Sequence, residues 1–220
     1  MDGIIVIGSS GHARVIIDIL EKTGKYRIAG LLDRFRSAGE TTLGYSVLGR
    51  EEDIPEIVSQ YAVAGGIVAV GDNMIRSRIV SFVAGIAPQF TYISAIHPRA
   101  TLAREVQIGA GTVVMAGAVI NACCAIGRFC IVNTNASLDH DSSMEDFSSL
   151  APGAATGGNV HIGRCSAIGM GAILTGAIKI GEHTVIGAGA TVLGDVGDKM
   201  VAYGTPARVV RTRLPGEKYL

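Results

Sequence analysis

The sequence has no tryptophan, and aromatic residues make up only 5% of its 220 positions. With 30 glycines and a hydrophobic fraction of 48%, its core has to be built from small and aliphatic side chains. The chain also lacks net charge, because 19 Lys and Arg balance 19 Asp and Glu. A neutral chain has no basic surface for a phosphate backbone, so we expect no nucleic-acid partner. The length allows one large domain or two small ones.

Cysteine is scarce, and the N-terminal residues carry no basic segment typical of a signal peptide. The cysteines at 123, 124, 130 and 165 have neither the spacing of a zinc site nor the density of a disulfide-rich secreted domain. We therefore expect reduced thiols and a cytoplasmic location. The uncharged residues 106–127 are numerous enough to span a bilayer. The repeat within them argues against a membrane helix, so no membrane partner is expected.

A six-residue repeat runs from Ile108 to Val192. Fourteen of its fifteen positions are aliphatic, and the exception is Thr156. The fifteen are Ile108, Val114, Ile120, Ile126, Val132, Leu138, Met144, Leu150, Thr156, Ile162, Ile168, Leu174, Ile180, Ile186 and Val192. A small or β-branched residue follows each of them four positions later. Neither a helix nor a simple strand keeps this register. A prism of short parallel strands does, with three six-residue sides to each coil.

Residues before about 95 lack the repeat and predict the alternating strands and helices of a small βαβ sheet. The turn Gly8-Ser9-Ser10-Gly11-His12 joins the first predicted strand to the first helix, where backbone N–H groups and the helix dipole favour a phosphate. It lacks the full three-glycine dinucleotide pattern, so a purely structural tight turn is the alternative. Asp33, at the end of the second strand, could accept a hydrogen bond from a sugar hydroxyl. The last strand of this part is predicted at Phe90–Ile93.

His140 is the histidine best placed for chemistry, because it lies at a predicted prism corner between Asp139 and Asp141. An imidazole beside a carboxylate is a suitable general base near neutral pH. The sequence leaves open which of the two acids, if either, orients the ring. We interpret His161 and His183 as structural or merely exposed. Their spacing from His140 does not correspond to whole coils, so no metal site is predicted.

The repeat, together with Gly8-Ser9-Ser10-Gly11-His12, Leu32-Asp33, Gly71-Asp72-Asn73 and Ile96-His97-Pro98, resembles a known enzyme family. It is the hexapeptide-repeat nucleotide-sugar N-acetyltransferases of the bacillosamine and perosamine pathways, with the related sialic acid O-acetyltransferases. The resemblance covers nearly the whole chain. It implies an α/β, Rossmann-like domain at 1–95, a left-handed parallel β-helix at 96–200 and a C-terminal tail at 201–220. It also implies a homotrimer with acetyl-CoA in the groove between protomers and no metal.

The resemblance further implies a function and a set of site residues. The function is acetyl-CoA-dependent N-acetylation of a nucleotide-linked 4-amino-4,6-dideoxy sugar, with His140 as general base and Asp141 as its acidic neighbour. The implied nucleotide-sugar contacts are Gly8, Gly11, His12, Asp33, Gly71 and Asn73. The implied acetyl-CoA contacts are Asn133, Ser149, Gly158, Met170 and Ala188. Some relatives carry a histidine in place of Ser149. The alternatives are an O-acetyltransferase of sialic acid or a related sugar and a non-catalytic scaffold.

Overall fold

The computed structural model describes residues 1–218. The chain divides into two compact units, of which the first is Met1–Pro98 and the second begins at Arg99. The division therefore lies three residues beyond the boundary expected after residue 95. The resemblance implied a separate C-terminal tail at 201–220; the described part of it, residues 201–218, groups with the second unit.

The first unit is a five-stranded sheet with three helices. In chain order its elements are β1 (Asp2–Ile7), α1 (Gly11–Thr23), β2 (Tyr26–Leu32), β3 (Thr41–Thr42), β4 (Tyr45–Gly49), a 3-10 turn (Glu51–Asp53), α2 (Ile54–Gln60), β5 (Val63–Val68), α3 (Asn73–Ile86) and the short β6 (Ala95–Ile96). The strand order in the sheet is β3-β4-β2-β1-β5. All pairs are parallel except β3 with β4, which form an antiparallel hairpin.

The core of this unit surrounds β1, whose residues Ile4 to Ile7 are fully buried. A parallel strand covered on both faces requires such an unbroken apolar run. Helix α1 packs its apolar side inward through Ile16 and Leu20. The strand predicted at Phe90–Ile93 is wrong, since this segment forms only a single bridge between Tyr92 and Gly66.

The second unit consists of two-residue strands followed by a hairpin. The strands are β7 (Thr101–Leu102), β8 (Gln107–Ile108), β9 (Val113–Val114), β10 (Val119–Ile120), β11 (Ala125–Ile126), β12 (Ile131–Val132), β13 (Ser137–Leu138), β14 (Ser143–Met144), β15 (Ser149–Leu150), β16 (Ala155–Thr156), β17 (His161–Ile162), β18 (Ala167–Ile168), β19 (Ile173–Leu174), β20 (Lys179–Ile180), β21 (Val185–Ile186) and β22 (Thr191–Val192). The hairpin is formed by β23 (Met200–Gly204) and β24 (Ala207–Thr212).

These strands stack in parallel on three faces of a prism. The first face holds β7, β10, β13, β16, β19 and β22, and the second holds β8, β11, β14, β17 and β20. The third holds β9, β12, β15, β18 and β21, and β23 and β24 continue it. Partners are one 18-residue coil apart, as in Val119 with Ser137. Every repeat position after Ile108 is buried as the second residue of its strand, which confirms the predicted β-helix.

Among the helices that the structure describes, none combines the length and apolar character that a membrane span needs.

Candidate active site

His140 and Asp141 form the outer part of the turn that joins β13 to β14, at the corner between the first and second faces of the prism. The backbone of Asp141 is left-handed, with φ of 57°. Aspartate tolerates this conformation better than most residues. Both side chains are 54% exposed. The coil thus presents the imidazole and its neighbouring carboxylate to solvent at an edge of the prism.

Asp141 is the acid that contacts the ring. Its Oδ2 lies 2.8 Å from His140 Nδ1. Asp139 instead accepts the backbone N–H of His140 at 2.8 Å and the amide of Asn121 at 2.6 Å, both through Oδ1. Because a carboxylate only accepts, Nδ1 carries the proton in the neutral ring, and Nε2 is the basic atom. The hydrogen bond to Asp141, followed by the charge of Asp139, raises the pKa of His140 above its usual value.

Gly158 lies one coil beyond His140 and directly against its ring. A Cβ at this position would come within 2.5 Å of both Nε2 and Cε1 of His140. The next coil places Gly176 in the same register, and a Cβ there would meet the carbonyl oxygen of Gly158 at 3.0 Å. Glycine at 158 therefore leaves the space that the imidazole occupies. The resemblance assigned Gly158 to the cofactor alone, and its contact with His140 is an additional feature.

The remaining residues that the resemblance assigned to acetyl-CoA lie elsewhere on the prism. Asn133, Met170 and Ala188 occupy turns at the corner between the third and first faces, and Met170 is 61% exposed. Ser149 is the outward residue of β15 on the third face. His140 lies at the other edge of the first face. A single chain therefore does not place these four residues on the same prism edge as His140.

The glycine-rich turn of the first unit is held in place by Asp33. The backbone N–H of Ser9 donates to Asp33 Oδ2 at 3.0 Å, and the N–H of Phe35 donates to Oδ1 at 2.8 Å. Gly8 has φ of 110°, and a Cβ there would lie 2.9 Å from the carbonyl oxygen of Ala69. The turn thus needs glycine at this position. The sequence predicts Asp33 as an acceptor for a sugar hydroxyl; in the structure its carboxylate anchors the turn.

A buried arginine organises the Gly71–Asn73 segment. Arg76, 1% exposed, donates to the carbonyl oxygens of Val70 at 2.8 Å and Gly71 at 3.0 Å, and to Asn73 Oδ1 at 2.6 Å. Asn73 is fully buried. Burial, followed by the charge of Arg76, lowers the pKa of His12 to about 4. His12 is therefore neutral at pH 7 in the chain without ligand.

A cavity of about 540 Å³ opens beside the turn. One side is polar and includes Gly8, Ser10 and Asp33. The opposite wall is the apolar side of α3, with Ile75 and Phe82 partly exposed. Gly11, His12, Gly71 and Asn73, which the resemblance assigned to the substrate, are not among the residues lining it. Sequence reasoning missed Arg34, Phe35 and Arg78, which do line it.

Within residues 1–218, no three His, Cys, Asp or Glu side chains are grouped so that they could hold a metal ion.

The chain is similar to several proteins of known kind. Residues 3–83 match the family model of the PglD N-terminal domain. GDP-perosamine N-acetyltransferase from Caulobacter crescentus was solved as a variant with one histidine changed to alanine, in complex with CoA and GDP-perosamine. It is 33% identical with a TM-score of 0.90, and the match covers 96% of this chain and 98% of that one. The acetyltransferase domain of PglB from Neisseria gonorrhoeae, in complex with acetyl coenzyme A, is 34% identical with a TM-score of 0.86, covering 94% and 98%.

A curated relative is UDP-N-acetylbacillosamine N-acetyltransferase from Bacillus subtilis, 32% identical over 117 residues. The match covers 53% of this chain and 52% of that protein, so the chain matches about half the length of this relative. A Rossmann-like unit followed by a left-handed parallel β-helix defines a hexapeptide-repeat acyltransferase. Within that class, the chain belongs to the family of nucleotide-sugar N-acetyltransferases.

The contact between Asp141 and His140 predicts a change in pH dependence. In Asp141→Asn the carboxylate that raises the pKa of His140 is gone, so this pKa should fall. Because the base acts in its deprotonated form, the acidic limb of kcat/KM against pH should move to lower pH, while the plateau decreases. Asparagine tolerates the left-handed backbone, so the turn should persist.

The measurement is a pH–rate profile of both proteins. The matched variant is Asp139→Asn, which keeps the contact between Asp141 and the His140 ring. Its acidic limb should therefore move less than that of Asp141→Asn. An Asp141→Asn limb at the wild-type position would contradict this assignment of the orienting acid.

Proposed function

We propose that this protein transfers the acetyl group of acetyl-CoA to the amino group of a nucleotide-linked 4-amino-4,6-dideoxy sugar. The observation that carries the proposal is the His140 ring, held at Nδ1 by Asp141 and exposed at the prism edge. It is supported by relatives that share the fold over nearly their whole length and whose structures hold CoA, acetyl coenzyme A or GDP-perosamine. The names of these relatives favour transfer to nitrogen rather than to a hydroxyl.

In the proposed reaction, His140 Nε2 accepts a proton from the sugar amine as the amine nitrogen bonds to the thioester carbonyl carbon. The carbon–sulfur bond breaks, and the proton passes from the imidazolium to the departing sulfur. Asp141 stabilises the imidazolium through its contact with Nδ1, as the acid does in other His–carboxylate pairs. Acetyl-CoA supplies the activated acetyl group as co-substrate, and the chain provides the base.

The coils that follow His140 leave space for the thioester beside its ring. The three in-register positions after His140 are the glycines 158, 176 and 194. Gly176 and Gly194 are exposed, so no side chain covers the edge next to the ring. From a neighbouring protomer, Ser149 could donate a hydrogen bond to a carbonyl oxygen that gains negative charge, although it has no positive charge of its own.

The cavity of the first unit is the proposed nucleotide site. The backbone turn at Gly8–Ser10 precedes α1, and a helix N-terminus favours a phosphate. Arg78 adds a positive charge to the same cavity, whereas Arg34 is paired at 3.4 Å with Glu51, which also lines it. The apolar wall formed by α3 is suited to the flat face of a base. Gly11, His12, Gly71 and Asn73 would then act mainly by shaping the segments around this cavity.

We further propose a cytoplasmic homotrimer in which two protomers share each active site. The support is the separation of the candidate residues onto two prism edges, with His140 at one and Asn133, Met170 and Ala188 at the other. A neighbouring protomer could present the second edge to the first. The groove between protomers would then hold acetyl-CoA.

Acetyl transfer is tested by following CoA release with UDP-, GDP- and dTDP-linked 4-amino sugars, and by detecting the N-acetyl product by mass spectrometry. We expect turnover with one nucleotide series. Activity confined to free sialic acid would overturn the choice of substrate and favour O-acetylation. Absence of acetyl transfer to any of these acceptors would overturn the proposed activity.

The shared site predicts a trimeric mass in solution. Light scattering at assay concentration should give about three times the 22.7 kDa chain mass. A monomeric mass in an active preparation would contradict a site divided between protomers.

A further inference from the structure

Thr156 is the one polar residue at a repeat position, and it lies one coil beyond the His140 turn. It is the second residue of β16 and is 9% exposed. At the other fourteen positions an aliphatic side chain fills the interior. A buried hydroxyl in such a core is unfavourable unless it is hydrogen-bonded.

The Thr156 hydroxyl accepts a hydrogen bond from a backbone N–H. In the regular coils of this face, a backbone carbonyl oxygen accepts the corresponding hydrogen bond. In regular coils, the residue after a first-face strand donates its N–H to a backbone carbonyl one coil on. Asn121 donates to the Leu138 oxygen at 2.9 Å in this way, and Gly157 donates to the Leu174 oxygen at 2.8 Å. The N–H of Asp139 donates instead to Thr156 Oγ1 at 3.0 Å.

The strand pairing changes at the same point. Neighbouring first-face strands pair at both residues, as β10 does with β13. Between β13 and β16 only Ser137 pairs with Ala155. The ladder is therefore interrupted immediately before the Asp139–Asp141 turn, and a side-chain oxygen replaces the backbone acceptor there.

We propose that Thr156 is a positioning residue for the His140–Asp141 pair. Its hydroxyl fixes the backbone of Asp139, and the turn that carries the imidazole follows directly from that residue. The inference rests on the proposed function for its kinetic consequence. The effect of Thr156 on the position of the His140 ring does not depend on the proposed function.

Two substitutions at this position separate positioning from packing. Thr156→Val keeps the shape, removes the hydroxyl and restores an aliphatic repeat. The N–H of Asp139 is then free to bond to the backbone oxygen of residue 156, which would move the turn. Thr156→Ser keeps the hydroxyl and should retain function.

Thr112→Val is the matched control. Thr112 is fully buried, and its Oγ1 accepts the N–H of Cys130 on the next coil at 3.0 Å. It lies at the corner between the second and third faces, away from His140. Its substitution should affect stability without affecting the catalytic turn.

In Thr156→Val we expect kcat to fall by about 5- to 50-fold, because small misplacements of a catalytic group can cost up to about 100-fold. KM for the nucleotide sugar and the thermal midpoint should stay close to wild type. Thr156→Ser should restore most of kcat. Thr112→Val should leave kcat unchanged.

The second readout does not depend on activity. NMR titration of the His140 ring should show its pKa lower in Thr156→Val than in wild type and Thr156→Ser, because the contact with Asp141 is weakened. A wild-type titration and wild-type kcat in Thr156→Val would overturn the proposal. So would a loss of kcat in Thr156→Val that the serine variant does not recover. If no acetyl transfer is found in the wild type, the proposed function fails, and the titration still tests the placement of the ring.

Discussion

Replacement of His140 by asparagine is expected to lower kcat for acetyl transfer by about 10²- to 10⁴-fold, the range typical of a lost general base. Asparagine is polar and similar in size to part of the ring, but it cannot accept the amine proton at neutral pH. Because His140 is exposed in a turn, the fold should be preserved. The measurement is the steady-state rate of CoA release at saturating concentrations of both substrates.

His161→Asn is the matched control for this prediction. His161 is also a histidine of the β-helix next to a carboxylate; its side chain is 38% exposed, and its Nε2 lies 3.2 Å from Glu145 Oε1. Its Nδ1 lies 2.9 Å from Ser143 Oγ, so the protein occupies both ring nitrogens. In His140, by contrast, the contact with a protein side chain is made by Nδ1, which lies 2.8 Å from Asp141 Oδ2. We expect the His161 variant to keep kcat within about twofold, the scale of a surface substitution. Equal losses in both variants would refute a specific role of His140.

The β-helix could be predicted from sequence because its geometry leaves little freedom. A strict six-residue repeat assigns every buried position and the 18-residue pairing at once. The same repeat marked Thr156 as an exception. Its consequence could not be predicted, because the N–H that it accepts belongs to Asp139 on the preceding coil. The choice between Asp139 and Asp141 likewise depends on turn geometry, which the sequence does not specify.

The first unit shows where local patterns were insufficient. Its β3–β4 hairpin turns at Leu43 and Gly44, both with positive φ. Leucine is an uncommon residue for such a position, so the usual asparagine–glycine signal is absent. The hydrogen bonds that Asp33 accepts from Ser9 and Phe35 required knowledge of the folded turn. The apolar wall that α3 gives to the cavity could not be predicted from the sequence, because apolar residues on a helix indicate core packing as readily as a binding surface.

Arg76 shows the same limitation, since arginine in an amphipathic helix is expected on the exposed side. Instead it is buried and serves three acceptors, among them the carbonyl oxygens of Val70 and Gly71. These acceptors belong to the segment that follows β5 and leads into α3. The arginine therefore links the stability of the first unit to the shape of its candidate substrate site.

Arg76→Met is expected to lower the free energy of unfolding by about 2–5 kcal/mol, because a buried acceptor that loses its donor costs roughly 1–3 kcal/mol and the two part-buried carbonyl oxygens cost less. Methionine keeps much of the side-chain volume, so lost hydrogen bonds rather than a cavity should dominate. The segment around Gly71 and Asn73 should then loosen beside the cavity. KM for the nucleotide sugar should rise by about tenfold or more with a smaller change in kcat, as expected for lost binding rather than lost chemistry.

Denaturant unfolding and steady-state kinetics at low temperature, where the variant remains folded, measure the two effects. The control is Lys22→Met, which removes a cation from α1 that pairs with Asp18 at the surface. Such pairs contribute at most about 1 kcal/mol, so this variant should resemble wild type in both measurements. If Arg76→Met lost stability but kept the wild-type KM, the arginine would support the fold without shaping the site. A wild-type stability would show that water or neighbouring groups satisfy the three acceptors when the guanidinium is absent.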